Sequence, residues 1–201
     1  MKILCLHGFR HNSDKLKKSM DPIIRKLEKT EYNIDFDFFD SPIPYGCDDD
    51  PNNELRKWWT VTRENINIEH YDTCNDSLQT LFDKWQSDEY DGLLGFSQGS
   101  VLIQIFAYQI QMGILAAREP KFIILCSTSK ISDTHFATYY DQPLEYKTLI
   151  ISGSRDPLVN IEDVIALRKN FENHQIIIHS GGHYVSSNSE TYYQLKKFLT
   201  Q

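Results

Sequence analysis

The sequence predicts an α/β fold, a doubly wound and mostly parallel sheet flanked by helices. Apolar strand-like runs alternate with helical runs from one end of the chain to the other, which is the order that builds β-α-β units. Most of the strand-like runs are unbroken apolar stretches, as in strands covered on both faces. The 201 residues suit a single sizeable core. We therefore expect one domain over residues 1–201 and no large inserted lid.

Strands are expected over residues 2–6, 34–39, 92–95, 122–126, 148–152 and 175–179. The second, Ile34-Asp35-Phe36-Asp37-Phe38-Phe39, alternates polar and apolar side chains and belongs near a sheet edge. Helices fill the gaps. Residues 16–29 carry Ile23, Ile24 and Leu27, with Pro22 starting or kinking the helix. Residues 77–85 place Leu78, Leu81, Phe82 and Trp85 on one face. Residues 101–112 are apolar on most sides, as in a helix held against a sheet. Residues 161–171 follow Asn160, a good N-cap. Residues 191–199 close the chain with Tyr192, Leu195 and Leu199 inward. Residues 41–53, rich in Pro, Asp and Asn, read as a loop. Residues 129–146 lack clear periodicity and are expected at the rim above a site.

Bulk properties narrow the function. The formal net charge of −7 argues against nucleic acid, which wants a basic face. No apolar stretch approaches the roughly 18 residues of a membrane span. The first apolar run is short and reads as a strand, not a leader peptide. Cys5, Cys47, Cys74 and Cys126 show no paired spacing, so a reduced, cytoplasmic setting is expected. Oligomeric state is not fixed by the sequence; a homodimer is one option.

The most informative stretch is Gly95-Phe96-Ser97-Gln98-Gly99, set between an apolar strand run and an apolar helix. In that setting G-x-S-x-G forces a tight turn that lifts the serine hydroxyl out of the sheet. A side chain at Gly95 or Gly99 would crowd the neighbouring helix or strand. Two partners follow, each on a loop just after a strand: Asp156 in Gly153-Ser154-Arg155-Asp156-Pro157 and His183 in Gly181-Gly182-His183. In a parallel sheet such loops converge on one edge, and the order Ser, Asp, His is that of α/β-hydrolases. A serine hydroxyl needs a base to become a nucleophile. His183 supplies it, and Asp156 holds the imidazole in the useful tautomer. Asp133 and Asp141 are weaker candidates for the acid, and His179 for the base, because none sits as clearly on a loop after a strand. His7-Gly8-Phe9-Arg10 follows the first strand, where this architecture draws one oxyanion-hole N–H; the other comes from the residue after the nucleophile. The candidates are therefore Phe9 and Gln98. His7 itself is expected to hydrogen-bond loop backbone.

Phe9, Phe96, Leu158 and Tyr184 flank these atoms in sequence and are candidates for an acyl pocket. Trp58 and Trp59 read either as core packing or as an apolar substrate wall. No metal or organic cofactor is expected: His179 and His183 are four residues apart, but on strand and turn, not on one helix face. Asp48-Asp49-Asp50 lacks the acceptor spacing of a calcium loop.

The chain resembles the FSH family of serine hydrolases. The likeness is carried by Ile3-Leu4-Cys5-Leu6-His7-Gly8-Phe9-Arg10 with Asn12, by Arg56-Lys57-Trp58-Trp59, by Gly92-Leu93-Leu94-Gly95-Phe96-Ser97-Gln98-Gly99, by Gly153 with Asp156, and by Gly182-His183. It covers nearly the whole chain, and the first stretch with the Trp pair is its most specific part. The resemblance implies an esterase of small-molecule carboxylic esters, some members preferring acyl chains of appreciable length. The rivals are an acyl-thioesterase and a catalytically poor small-molecule receptor on the same fold. A nucleotide-binding protein fits less well, because no Gly-rich phosphate loop follows the first strand.

Overall fold

The computed structural model describes residues 1–46, 54–65 and 68–201; Cys47 and Asp48-Asp49-Asp50 lie outside them. The chain opens with β1 (Lys2–Leu6), α1 (Ser13–Leu27) and β2 (Asp35–Phe39), followed by the short strands β3 (Ile43–Pro44) and β4 (Arg56–Lys57). Next come β5 (Thr60–Asn65), β6 (Ile68–Asp72), α2 (Cys74–Gln86), β7 (Gly92–Phe96), α3 (Gln98–Gln111) and β8 (Phe122–Cys126). A 3₁₀ segment (Thr134–Asp141), β9 (Lys147–Gly153), α4 (Ile161–Leu167), β10 (His174–His179) and α5 (Ser189–Thr200) complete it.

Six strands form one parallel sheet in the order β10-β9-β8-β7-β1-β2. Its two faces follow from strand alternation. Ile3, Cys5, Leu94, Ile124, Cys126, Leu149 and Ile151 pack with Leu16, Met20 and Ile23 of α1 and Leu195 and Phe198 of α5. Leu4, Leu6, Leu93, Ile123, Leu125 and Ile150 pack with α2, α3 and α4 through Leu81, Trp85, Ile103, Phe106 and Val164. Burying each such side chain stabilises the fold by about 1.5–3 kcal/mol. The sheet is thus doubly wound. From β1 the chain steps to β2 on one side and returns to β7 on the other. The order reverses between β1 and β7, and an open sheet places its ligand crevice at such a switch point.

Several elements depart from the sequence reading. α1 begins at Ser13, where the Asn12 side chain accepts the Lys15 N–H at 2.8 Å. Pro22 lies well inside that helix. β2 is an edge strand as its alternation implies, but β10, with its run of three isoleucines, is the opposite edge and leaves Ile178 45% exposed. An unbroken apolar run does not by itself place a strand in the middle. Residues 60–72, to which the sequence reading assigned no element, pair as an antiparallel hairpin, β5 with β6. Part of the expected loop over residues 41–53 pairs as well, β3 with β4.

Candidate active site

Ser97 is the turn between β7 and α3. Its φ of 52° and ψ of −117° put a non-glycine residue in strained backbone, a conformation that persists only where the surroundings enforce it. They do so here. The Ser97 N–H donates to the Cys126 carbonyl at 2.9 Å, and the Ser97 carbonyl accepts the Ser100 N–H at 2.9 Å. Gly99 lets α3 press onto the end of β1, since a Cβ there would lie 2.5 Å from the His7 carbonyl oxygen.

Asp156 and His183 reach the same place from the ends of β9 and β10. The imidazole bridges them: His183 Nε2 lies 2.9 Å from Ser97 Oγ, and His183 Nδ1 lies 2.7 Å from Asp156 Oδ2. The other Asp156 oxygen accepts the Leu158 and Val159 N–H groups at 2.9 and 3.0 Å. Burial alone would raise the Asp156 carboxyl. The Leu158 N–H, the His183 ring and the Val159 N–H outweigh it and hold the group below the ordinary carboxylate value. The two loops are locked together by Gly153, where a Cβ would sit 2.4 Å from the carbonyl oxygens of Gly181 and Gly182. Arg155 ties them further, its side chain donating to the Ser180 carbonyl at 2.6 Å and its N–H to the Gly181 carbonyl at 3.0 Å. A neutral imidazole held between a buried carboxylate and a hydroxyl can take the hydroxyl proton and stabilise the resulting charge.

The loop after β1 lies against this site. A Cβ on Gly8 would come within 3.2 Å of Ser97 Cβ. Among the described residues, neither the Phe9 nor the Gln98 N–H donates to a protein acceptor. His7 is fully buried; it accepts the Ser41 N–H at Nε2 (3.1 Å) and contacts the Gly8 carbonyl from Nδ1 (2.8 Å). Burial pushes this ring down to about 4, so at neutral pH it is an uncharged strut of the loop.

A cleft of about 470 Å³ opens at Ser97 and His183. Phe9, Gln98, Trp59 and Leu158 line it. Phe96 and Tyr184 do not; they line a second hollow of about 320 Å³ that also reaches Ser97, His183 and Leu158. Trp58 takes the core-packing alternative and is not part of the substrate wall. It is fully buried beneath the loop, donating its indole N–H to the His7 carbonyl at 2.7 Å and stacking on the His7 ring, centroids 5.0 Å apart. Of the two adjacent tryptophans, one supports the loop and the other walls the cleft. The Gln98 side chain holds both, its Oε1 accepting the Trp58 N–H at 2.8 Å and its amide donating to the Trp59 carbonyl at 2.9 Å. His179 is turned elsewhere and accepts the Gly181 N–H at 3.1 Å.

The sequence reading missed the rest of the wall. Tyr45, Val61, Tyr71, Val101 and Val159 also line the cleft, and Tyr71 stacks on Trp59 with centroids 4.5 Å apart. The β-branched alternation of Thr60-Val61-Thr62 is the signal that could have revealed the hairpin carrying Val61.

Comparison with known proteins agrees with this architecture. The family description "Serine hydrolase (FSH1)" matches residues 1–195. The chain is similar to an esterase of Xenopus tropicalis, OVCA2, with 29% identity over 226 residues, covering 100% of this chain and 94% of that protein. It is also similar to an esterase of Anopheles gambiae, with 28% identity over 207 residues, covering 96% of this chain and 75% of the other. In fold it is similar to Zea mays acyl-protein thioesterase 2, with a TM-score of 0.70, 19% identity, and coverage of 99% of this chain and 92% of that one.

Proposed function

The chain belongs to the FSH1 family of serine hydrolases, and from that premise we propose that it cleaves carboxylic esters with apolar acyl groups through an acyl-enzyme on Ser97. The observation that carries this reading is the unbroken hydrogen-bond chain from Ser97 through His183 to Asp156, at 2.9 and 2.7 Å. Ser97 Oγ attacks the ester carbonyl while His183 Nε2 takes its proton. The negative charge that develops on the carbonyl oxygen rests on the Phe9 and Gln98 N–H groups, each typically worth about 3–4 kcal/mol of transition-state stabilisation. The imidazolium, held by Asp156, gives its proton to the departing alcohol. Water then enters, loses a proton to His183 and releases the acid from Ser97.

The cleft supports an apolar acyl group. Trp59, Tyr71, Val61 and Val101 line it, and its volume falls within the usual range for small-molecule sites. Among the described residues no helix is long and apolar enough to cross a membrane. Cys5, Cys74 and Cys126 are free and buried, which supports assignment to a reducing, cytoplasmic compartment.

The test is a rate screen across esters of increasing acyl length, run beside the matching acyl thioesters, with Ser97→Ala as control. Faster hydrolysis of the oxygen esters, abolished in Ser97→Ala, is expected. A preference for the thioesters would transfer the assignment to acyl-thioester hydrolysis on the same machinery. No turnover of either class, with ligand still bound, would make the protein a receptor.

A further inference from the structure

Beside the cleft, three potential metal ligands from two separate segments meet at one point. His70 lies on β6; Asp133 and His135 lie at the start of the 3₁₀ segment. Each offers one ligand atom, and these atoms all lie within 4.8 Å of one another. Asp133 Oδ1 is 2.8 Å from His135 Nδ1 and 4.0 Å from His70 Nδ1. The imidazole rings are 5.2 Å apart.

We propose that His70, Asp133 and His135 form a binding site for a divalent first-row transition cation of the zinc type. Two imidazoles and one carboxylate make a borderline donor set that suits such ions and not magnesium or calcium. Ligand bonds of about 2.0–2.2 Å need adjacent donors roughly 3.3 Å apart, so small side-chain rotations bring these atoms into place. Coordination takes His135 with its proton on Nε2, which turns the present Nδ1···Asp133 contact into two bonds to one ion.

Three further features separate this cluster from a chance meeting. The carboxylate is almost fully buried and already aimed: Asp133 Oδ2 accepts the Tyr71 N–H at 2.7 Å, and Oδ1 accepts the His135 N–H at 2.8 Å. Buried His70 Nδ1 has no hydrogen-bond partner, an arrangement that costs free energy unless something fills it. On the far side of that ring, Nε2 lies 3.8 Å from Glu64 Oε2, and a small rotation of the exposed Glu64 side chain would let it hydrogen-bond and orient a ligating imidazole. The His135 side chain is 71% exposed, so an ion can enter from solvent, and a fourth position stays open to water. Bound there, the ion would clasp the β5–β6 hairpin to the segment carrying Ser132. Both contribute to the cleft, through Glu69, Tyr71 and Ser132. The proposal is independent of the reaction at Ser97.

The test is titration of the metal-free protein with Zn²⁺ against a chromophoric chelator, with thermal unfolding followed in parallel. One ion per chain with a Kd of about 10 μM or tighter is expected, with an unfolding temperature that rises with Zn²⁺ and not with Mg²⁺. Co²⁺ should give the visible absorption of a four-coordinate site. His135→Ala, at an exposed side chain, should fold as the parent does and bind Zn²⁺ at least about tenfold more weakly. His70→Ala should do the same. No binding by the parent at 100-fold higher Zn²⁺, or unchanged binding in His135→Ala, would overturn the site. Unchanged binding would place the ion elsewhere on the chain.

Discussion

At the carboxyl edge of the sheet, Ser97, Asp156 and His183 each sit within a few residues of the end of a parallel strand, and the loops between them interlock through Gly153, Gly181 and Arg155. In the wall beside it, Trp59, Val61 and Tyr71 sit on or next to short antiparallel pieces tied to the body by the Gln98 amide and by the Tyr71 N–H to Asp133. Strand register across a six-stranded sheet ties the first group to the core, because shifting any member requires the core to shift. A two-stranded piece is marginal alone, and its geometry depends on what it packs against. On the proposed reading the chemistry falls on the sheet edge and much of the substrate contact on the short antiparallel wall, so changes in the two regions should have separable effects.

The largest expected effect lies at the edge. Asp156→Asn keeps the shape of the acid but favours the wrong imidazole tautomer, and kcat should fall by about 10⁴-fold with short and long acyl esters alike. Steady-state kinetics on two chain lengths checks it. A loss confined to long chains would assign Asp156 to the wall.

Next comes the buried half of the tryptophan pair. Trp58→Ala should destabilise the protein by roughly 3–5 kcal/mol in denaturant unfolding, from the cavity it leaves and from the unpaired His7 carbonyl. An effect on KM without an effect on stability would return Trp58 to the substrate wall.

His7 predicts a pH dependence of stability. Its folded value is about 4, against about 6.5 unfolded. Between those values the unfolded chain binds the proton and the folded one does not. Stability is therefore complete above about pH 6.5 and declines by roughly 3 kcal/mol as pH falls to 4. His7→Gln should flatten that part of the curve relative to the parent; parallel curves would contradict the buried neutral ring. The smallest effect belongs to the wall. Val61 is 43% exposed, so Val61→Asp should leave stability within about 0.5 kcal/mol. It should raise KM for long-chain esters by on the order of tenfold while sparing kcat on short ones.

The same division explains what could be read from the sequence. The sheet strands and the positions of Ser97, Asp156 and His183 were legible because each is announced locally: an apolar run, then Gly-rich turn chemistry, then the reactive side chain. The glycines at 95, 99 and 153 mark where backbones must approach. The wall had no such markers. Whether Trp58 or Trp59 faces the cleft depends on a single backbone step and on the partner that each indole finds, and neither is encoded nearby. The β5–β6 hairpin carries Arg63, Glu64 and Glu69, which mask its alternation as polar loop. The His70–Asp133–His135 cluster joins segments more than sixty residues apart, so only the Asp-x-His spacing was visible, and that alone is weak.

The most direct measurement is the intact mass of the protein after treatment with a fluorophosphonate, followed by peptide mapping. The account predicts one adduct per chain, on Ser97, absent from Ser97→Ala and strongly slowed in His183→Ala. Labelling of another residue, or an unmodified Ser97 in a protein that still hydrolyses esters at the parent rate, would contradict it.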